Sequence, residues 1–291
     1  MAEKSFKTID EQIKLLESRG LAVTDYDTAY NFLLHNNYYR VSGYSLTLRN
    51  HDIFSENTTF QNIIDIYEFD CELRHMLLKY LERIEVSVKS VYAYEFARIY
   101  GSTGYLNPSN FVDSDSLSKI MDIISKQKER QVSHEAYLQH FIYDLHEDIP
   151  IWALVDLFTV SNISHLYKIS SSDVRMSVAK SLLNIKNTEV LDGFLRHISI
   201  LRNLCAHGER IFNRLFAQKP KLRKSEQTLL IKLPNGNRDN SHLFSYILVM
   251  RRLLNRQNFD AMKSEIGLLS EKYPFVNLRY YGFREDWKFI L

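Results

Sequence analysis

Arg202, Asn203 and His207 stand in the segment RHISILRNLCAHGERIFNRLF (196–216) as R-N-x3-H, and their side chains are the types that RNA transesterification requires. That reaction needs a base for the 2′-hydroxyl proton, an acid for the departing 5′-oxygen and cations for the charged phosphorane. Histidine has its ordinary pKa near working pH, and arginine presents a fork of donors matched to phosphate oxygens. An asparagine one helical turn before the histidine is placed to orient its ring. The R-x4-H spacing alone carries little weight. With 19 arginines and 10 histidines in 291 residues, chance makes such a pair unremarkable.

Helical geometry adds an independent argument. Read as one helix from Thr188 to Phe216, the segment puts Arg196, Asn203, His207, Arg210 and Arg214 within roughly 40° of one line. Ile198, Leu201, Cys205, Phe212 and Phe216 take the opposite side, so one face reads as packed and the other as a basic line centred on a histidine. Arg196, Arg210 and Arg214 are expected to contact RNA. Arg202 lies about 120° from that line and joins the site only through its long side chain or a neighbouring surface. Gly208 is where this helix would end or kink, which would redirect Arg210 and Arg214. The plain alternative is an exposed His–Arg pair on an amphipathic helix.

The bulk properties agree with an intracellular polyanion-binding protein without demanding one. Hydrophobic residues make up 45% and charged residues 25%, the balance of an ordinary soluble globular chain. The net charge of +2 says nothing by itself. Its distribution does: residues 196–224 hold eight Lys/Arg against Glu209 alone, while 133–167 hold five acids and no Lys or Arg. A basic stretch beside an acidic one suits a polyanion on one face. The start, MAEKSFKTID, has no apolar core of a leader, and no run of roughly 18 apolar residues suggests a membrane span, so the cytoplasm is the expected compartment. Cys71 and Cys205 are too few for a disulfide framework or a cysteine zinc site.

The elements that must position the motif read as helices throughout. Thr8–Arg19 forms a short amphipathic helix ended by Gly20, and Thr24-Asp25 caps Tyr26–Asn36. NNYYRVSGYSLTLRN (36–50) reads as a small hairpin or an irregular strip. Thr59–Tyr100 is a long helix with Ile63, Ile66, Phe69, Leu73, Leu77, Leu81 and Ile84 at helical spacing. Helical blocks follow at Ser116–Leu145, from Pro150, and from the Ser171-Ser172-Asp173 cap to Leu183. After the motif helix come the LPNGNRDN turn, His242–Asn255 and Asp260–Leu269. The expected class is all-α, a bundle with N-terminal and C-terminal helical additions: an accessory region 1–55, a core 56–218 and a C-terminal region 219–291.

Several segments together resemble the Abi-like family of abortive-infection proteins, the AbiD/AbiF group, whose core is similar to a HEPN domain. They are NNYYRVSGY (36–44), TFQNIIDIYEFDCELR (59–74), ERIEVSVKS (82–90), IWALVDLFTVSNISHLY (151–167), LRNLCAHGERIFNR (201–214) and GFREDW (282–287), in the expected order along nearly the whole chain. The resemblance implies a HEPN-like bundle and a metal-independent endoribonuclease with no cofactor, built on Arg202, Asn203 and His207, in phage defence or a toxin–antitoxin pair. It implies a homodimer that joins two motifs in one site, RNA as substrate, and a small structured regulatory RNA as a further partner. The long helix would then pack beside the motif helix. Glu82 or Glu85 would orient Arg202, with Glu85 the preferred one, and Arg74, Arg83 and Lys89 would grip the RNA backbone. Read from the residues alone, those charges are surface pairs supporting a helix.

Two other readings stand beside the enzyme. One is a non-catalytic RNA-binding module that uses the basic face as a phosphate clamp. The other is a protein-interaction scaffold whose basic line meets an acidic partner. His134, His140 and His146 sit near acids, but their six-residue steps spiral around a helix, so no metal is expected. Tyr38, Tyr39 and Tyr44 are expected to pack against the core rather than stack on bases.

Overall fold

Short side-chain caps start most of the helices of this chain. The computed structural model describes residues 5–291; the first four residues of the accessory region and of the leader reading lie outside them. Helix α1 (Ile9–Ser18) opens on a reciprocal box in which Glu11 N–H donates to Thr8 Oγ1 and Thr8 N–H to Glu11 Oε2. Asp25 caps α2 (Tyr26–Asn36). The aromatic strip that follows is not a hairpin at its start: Asn37, at φ +58°, reverses the chain and its side chain caps α3 (Tyr38–Tyr44). Only at its end does a two-residue antiparallel ribbon appear, β1 (Arg49–Asn50) with β2 (Ile53–Phe54). Thr59 and Asn62 cap each other's backbone to launch α4 (Phe60–Tyr100), 41 residues and about 60 Å long.

Helix α5 (Ser114–Gln131) is shorter than its sequence pattern suggests, because α6 (Ala136–Gln139) and a π-type turn at 140–144 break the block. Then come α7 (Ile151–Leu154), α8 (Val160–Ile169), α9 (Ser172–Leu183) and α10 (Thr188–Ala206). The chain closes with α11 (Lys224–Gln227), α12 (Leu243–Leu253), α13 (Arg256–Lys272) and α14 (Trp287–Ile290). The fold is all-α. Helix α4 runs through the middle and packs against α7, α9, α10 and α13, while α10 is held between α4, α8 and α12. One apolar core draws on every part of this order, from Ile13 to Trp287.

At the centre of that core sits a charge. Asp70 is 0% exposed, and its carboxylate accepts from the Tyr44 hydroxyl (2.8 Å), the Tyr281 hydroxyl (3.0 Å), the N–H of Phe212 (2.8 Å), the N–H of Ile211 (3.2 Å) and the guanidinium of Arg74. Burial raises the Asp70 pKa, and these donors pull against it. Arg74, itself 2% exposed, donates both to Asp70 and to Tyr44. This corrects the reading of Arg74 as an RNA contact: one turn from Asp70 on the core-facing side of α4, it is consumed inside the protein.

Residues 230–239 fold into a tight ribbon in which Lys232 and Arg238 are antiparallel bridge partners. Asp239 anchors its end, accepting from Ser241 N–H (3.1 Å), Ser241 Oγ (2.7 Å) and the His242 ring (2.6 Å). Burial pushes the Asp239 pKa up, but the bonds from His242 and Ser241 outweigh it and hold the group at about 2, below its ordinary 3.8.

Two expectations follow. Removing Arg74 as Arg74→Ala strands a buried carboxylate and should lower the unfolding free energy by roughly 3–5 kcal/mol in a urea titration, whereas Arg196→Ala should cost no more than about 1 kcal/mol. For Asp239 the folded value lies below the unfolded one, so its contribution is complete above pH 3.8 and lost as pH falls through about 2. Asp239→Asn should therefore flatten the acid limb of a stability-against-pH curve across that window.

Candidate functional site

The motif helix stops at the histidine. Helix α10 ends at Ala206, with His207 as its C-cap and Gly208 in the left-handed conformation at φ +63°. Glu209 N–H donates to the Leu204 carbonyl (2.9 Å) and Gly208 N–H to that of Cys205 (3.2 Å). These two bonds make a Schellman ending, the geometry glycine favours because an added side chain would be strained there. The expected helix through Phe216 is thereby corrected, and with it the single line of Arg210 and Arg214. Helix α10 still keeps Asn203 and His207 one turn apart on its exposed side, while Leu201, Leu204 and Cys205 are buried.

The turn is braced from outside the helix. Arg40, on α3, donates to the Gly208 carbonyl at 2.5 Å, and its guanidinium lies 5.6 Å from the centre of the Tyr67 ring. Beyond it, Ile211 and Phe212 hang from Asp70, and Asn213 N–H donates to the Tyr280 carbonyl (3.1 Å). His207 is thus an exposed side chain on a backbone fixed from three directions. The sequence offered little to single out Arg40, apart from its place in the 36–44 segment.

Arg202 lies around the helix from His207, against α4. Its Nε is 3.8 Å from Glu85 Oε2, while Lys89 Nζ sits 2.9 Å from Glu85 Oε1. A small recess of about 220 Å3 is lined there by Leu78, Lys79, Glu82, Glu85 and Arg202. Glu85 is therefore the acid beside Arg202, and Lys89, mostly covered, is spent on Glu85 rather than presented to a ligand. Arg83 is tied to Asn258 of α13.

The remaining basic residues are engaged nearby. Arg196 pairs with Asp192 at 3.3 Å, one turn back on α10. Arg214 bonds Glu209 at 3.0 Å and the Arg210 carbonyl at 3.3 Å, and Arg210 donates to the Phe212 carbonyl at 2.7 Å. Arg210 and Arg214 thus shape the loop after the motif instead of extending its face. Asn203 is joined to His207 through backbone, His207 N–H to the Asn203 carbonyl at 2.9 Å. Tyr44 is buried in the core at Asp70. Among the described residues no group of three or more His, Cys, Asp or Glu is arranged to hold a metal ion. His140, one of the three histidines weighed above, bonds Asp144 at 3.1 Å.

What the arrangement can do follows from its parts. It offers an exposed imidazole at the end of α10, an amide one turn before it, the Arg202 guanidinium on another side of the same helix, and Arg40 bracing the turn from α3. Arg202 is only partly exposed, so its donors act in a medium less screened than bulk water.

A comparison with protein families adds a finding from outside the structure. The family model described as Abi-like protein matches residues 31–213, more than half of the chain and the stretch from within α2 to Asn213 in the post-motif loop. No curated protein and no solved structure matches the chain.

Gly208 offers a direct check on this turn. A Cβ there would meet only Arg40 Nη2, at an ordinary 3.7 Å, so the cost of Gly208→Ala is conformational. It should destabilise the fold by about 1–2 kcal/mol in urea unfolding, with Gly208→Asn costing less.

Proposed function

The chain belongs to the Abi-like protein family, and from that premise we propose that it is a metal-independent endoribonuclease of abortive infection, with a HEPN-like core and His207 at the reacting centre. The observation that carries this reading is the exposed imidazole at the end of α10, on a turn whose Gly208 carbonyl is braced by the Arg40 guanidinium, with Arg202 five residues back on the same helix. A structural histidine gains nothing from such placement. A catalytic one needs a fixed backbone, solvent access and neighbouring positive charge.

The reaction is an in-line transesterification. The 2′-oxygen attacks phosphorus as its proton passes to a base, and the P–O5′ bond breaks as an acid protonates the leaving oxygen. The products are a 2′,3′-cyclic phosphate and a 5′-hydroxyl. One motif supplies one imidazole, and base and acid at the same moment require two groups. A homodimer that faces two motifs across its axis supplies both. What supports this is exposed apolar surface on α4 that begins one residue after Glu85, the acid beside Arg202: Val86 (60% exposed) and Tyr94 (67%), with Trp152 (56%), border a groove of about 750 Å3 that also includes Lys89. A second copy covering that groove would bring its own motif close to the first. In this assembly Glu85 orients Arg202, Asn203 steadies the His207 ring, and Arg196 carries the phosphate chain past the turn.

The test compares purified wild type with His207→Ala on a mixed pool of tRNA and mRNA in the presence of EDTA. Wild type should cut, leaving cyclic phosphate ends, with a rate per protomer that rises with protein concentration. His207→Ala should lose at least about 100-fold in rate while keeping its unfolding midpoint. Equal cutting by both proteins overturns the assignment of His207. RNA binding without cutting by either leaves the chain a non-catalytic RNA-binding module.

A further inference from the structure

The segment that follows the motif is the most positive part of the chain. Residues 210–256 hold eleven Lys/Arg and two acids, in a protein whose net charge is only +2. Both acids are occupied locally. Asp239 is buried and bound by Ser241 and His242. Glu226 accepts from the Arg223 N–H at the start of α11 and lies 3.9 Å from Arg252. No acid within this segment is left to neutralise its exposed cations.

Part of that charge is gathered in a cleft of about 940 Å3 between the 230–239 ribbon and the 276–287 segment. Lys232 and Arg238 enter it from the ribbon, Arg279 and Arg284 from the opposite wall. Lys232 and Arg238 are direct cross-strand partners, so their side chains project on the same side of the ribbon. Like charges in that position destabilise a ribbon, and no acid is paired with either among the described residues. Arg238 spends one donor on the Leu230 carbonyl at 3.0 Å, and Arg279 has no side-chain ion pair among the described residues. Arg284 is different, since it is clamped by Asp286 and bonds the Thr228 carbonyl, which joins the walls of the cleft. Glu285 is the remaining acid of the lining. The wall that carries Arg279 is also bonded to the post-motif loop, through Asn213 N–H and the Tyr280 carbonyl.

We propose that this cleft is a second nucleic-acid site, in which Lys232, Arg238 and Arg279 hold the sugar–phosphate backbone of a folded RNA whose chain continues to the motif turn. The proposal rests on the ribonuclease reading for its choice of RNA over other polyanions. The physical case is the uncompensated pair on the ribbon: a phosphate between Lys232 and Arg238 turns a local repulsion into two attractions. Phosphate contacts of this kind set affinity and register without reading sequence. The site would therefore hold structured RNA by its backbone while the bases at the motif stay accessible.

The experiment uses the full chain in a His207→Ala background, so binding is measured without cutting. A fluorescently labelled RNA stem-loop is titrated across a salt series with this protein and with the same protein carrying Lys232→Ala, Arg238→Ala and Arg279→Ala. Loss of three phosphate contacts should lower the slope of log affinity against log salt by about 2–3 and weaken binding by at least roughly tenfold at low salt. The unfolding midpoint should hold or rise, since the like-charge pair on the ribbon is gone. Unchanged affinity and slope overturn the proposal, as does displacement of the RNA by polyglutamate at equal charge concentration, which marks an acidic-protein site. Cleavage is scored separately in proteins with His207 intact. A triple variant that binds normally beside a cutting wild type sinks the cleft alone. A wild type that never cuts while the triple variant loses binding sinks the nuclease reading alone.

Discussion

Asp70 is a carboxylate taken out of water, and stripping solvent from such a group costs several kcal/mol unless its lone pairs are filled by well-placed donors. Here the donors come from four separate stretches of chain: Tyr44 on α3, Arg74 on α4, the backbone of Ile211 and Phe212, and Tyr281 near the C-terminus. None of these stretches can move away without leaving a buried charge short of a partner. The accessory region, the long helix, the motif loop and the tail are therefore mutually dependent.

The site inherits its rigidity from that arrangement. Helix α10 delivers His207 to its own end, and a free helix end would fray. Two bonds after the histidine close the Schellman turn, Arg40 takes the Gly208 carbonyl, and three residues later the backbone reaches Asp70. The imidazole thus stays in solvent while the backbone beneath it is fixed. Arg202 lies instead beside Glu85 on α4, a carboxylate that Lys89 also approaches. The fold also separates tasks among the cations. Arg74, Arg210, Arg214 and Arg284 hold the protein together, whereas Lys232, Arg238 and Arg279 face the open cleft.

The sequence was most legible where structure is local. Thr8, Asp25, Thr59 and Ser171 cap their helices as their types and positions suggest, and the apolar period of 60–100 becomes one unbroken helix. It was least legible where a long-range partner decides the outcome. Helical phase puts Asp70 and Arg74 on the same face as Ile66, Phe69 and Leu77, yet a reading of charge alone leaves both in solvent. The partners that allow their burial lie about 140 and 210 positions further along the chain. Periodicity also carries straight through Gly208, because Phe212 and Phe216 keep a helical spacing although they are buried in a loop. The 36–50 strip misleads for a related reason: its aromatic and β-branched residues favour a strand, but Asn37 can adopt a positive φ and start α3. Glu85 entered only through the family resemblance, which implies that the long helix packs beside the motif helix; spacing and periodicity alone do not separate it from Glu82.

At the centre of this account is attack by the substrate's own 2′-hydroxyl at a site built on His207. The most direct measurement offers wild-type protein one RNA and its 2′-O-methyl counterpart of identical sequence, in EDTA, and follows both strands by mass. Scission of the RNA alone, with 2′,3′-cyclic phosphate and 5′-hydroxyl ends, is the predicted result. Scission of both strands, or RNA ends bearing a 5′-phosphate, would mean that water or another nucleophile attacks, and the mechanism assigned to this turn would be wrong.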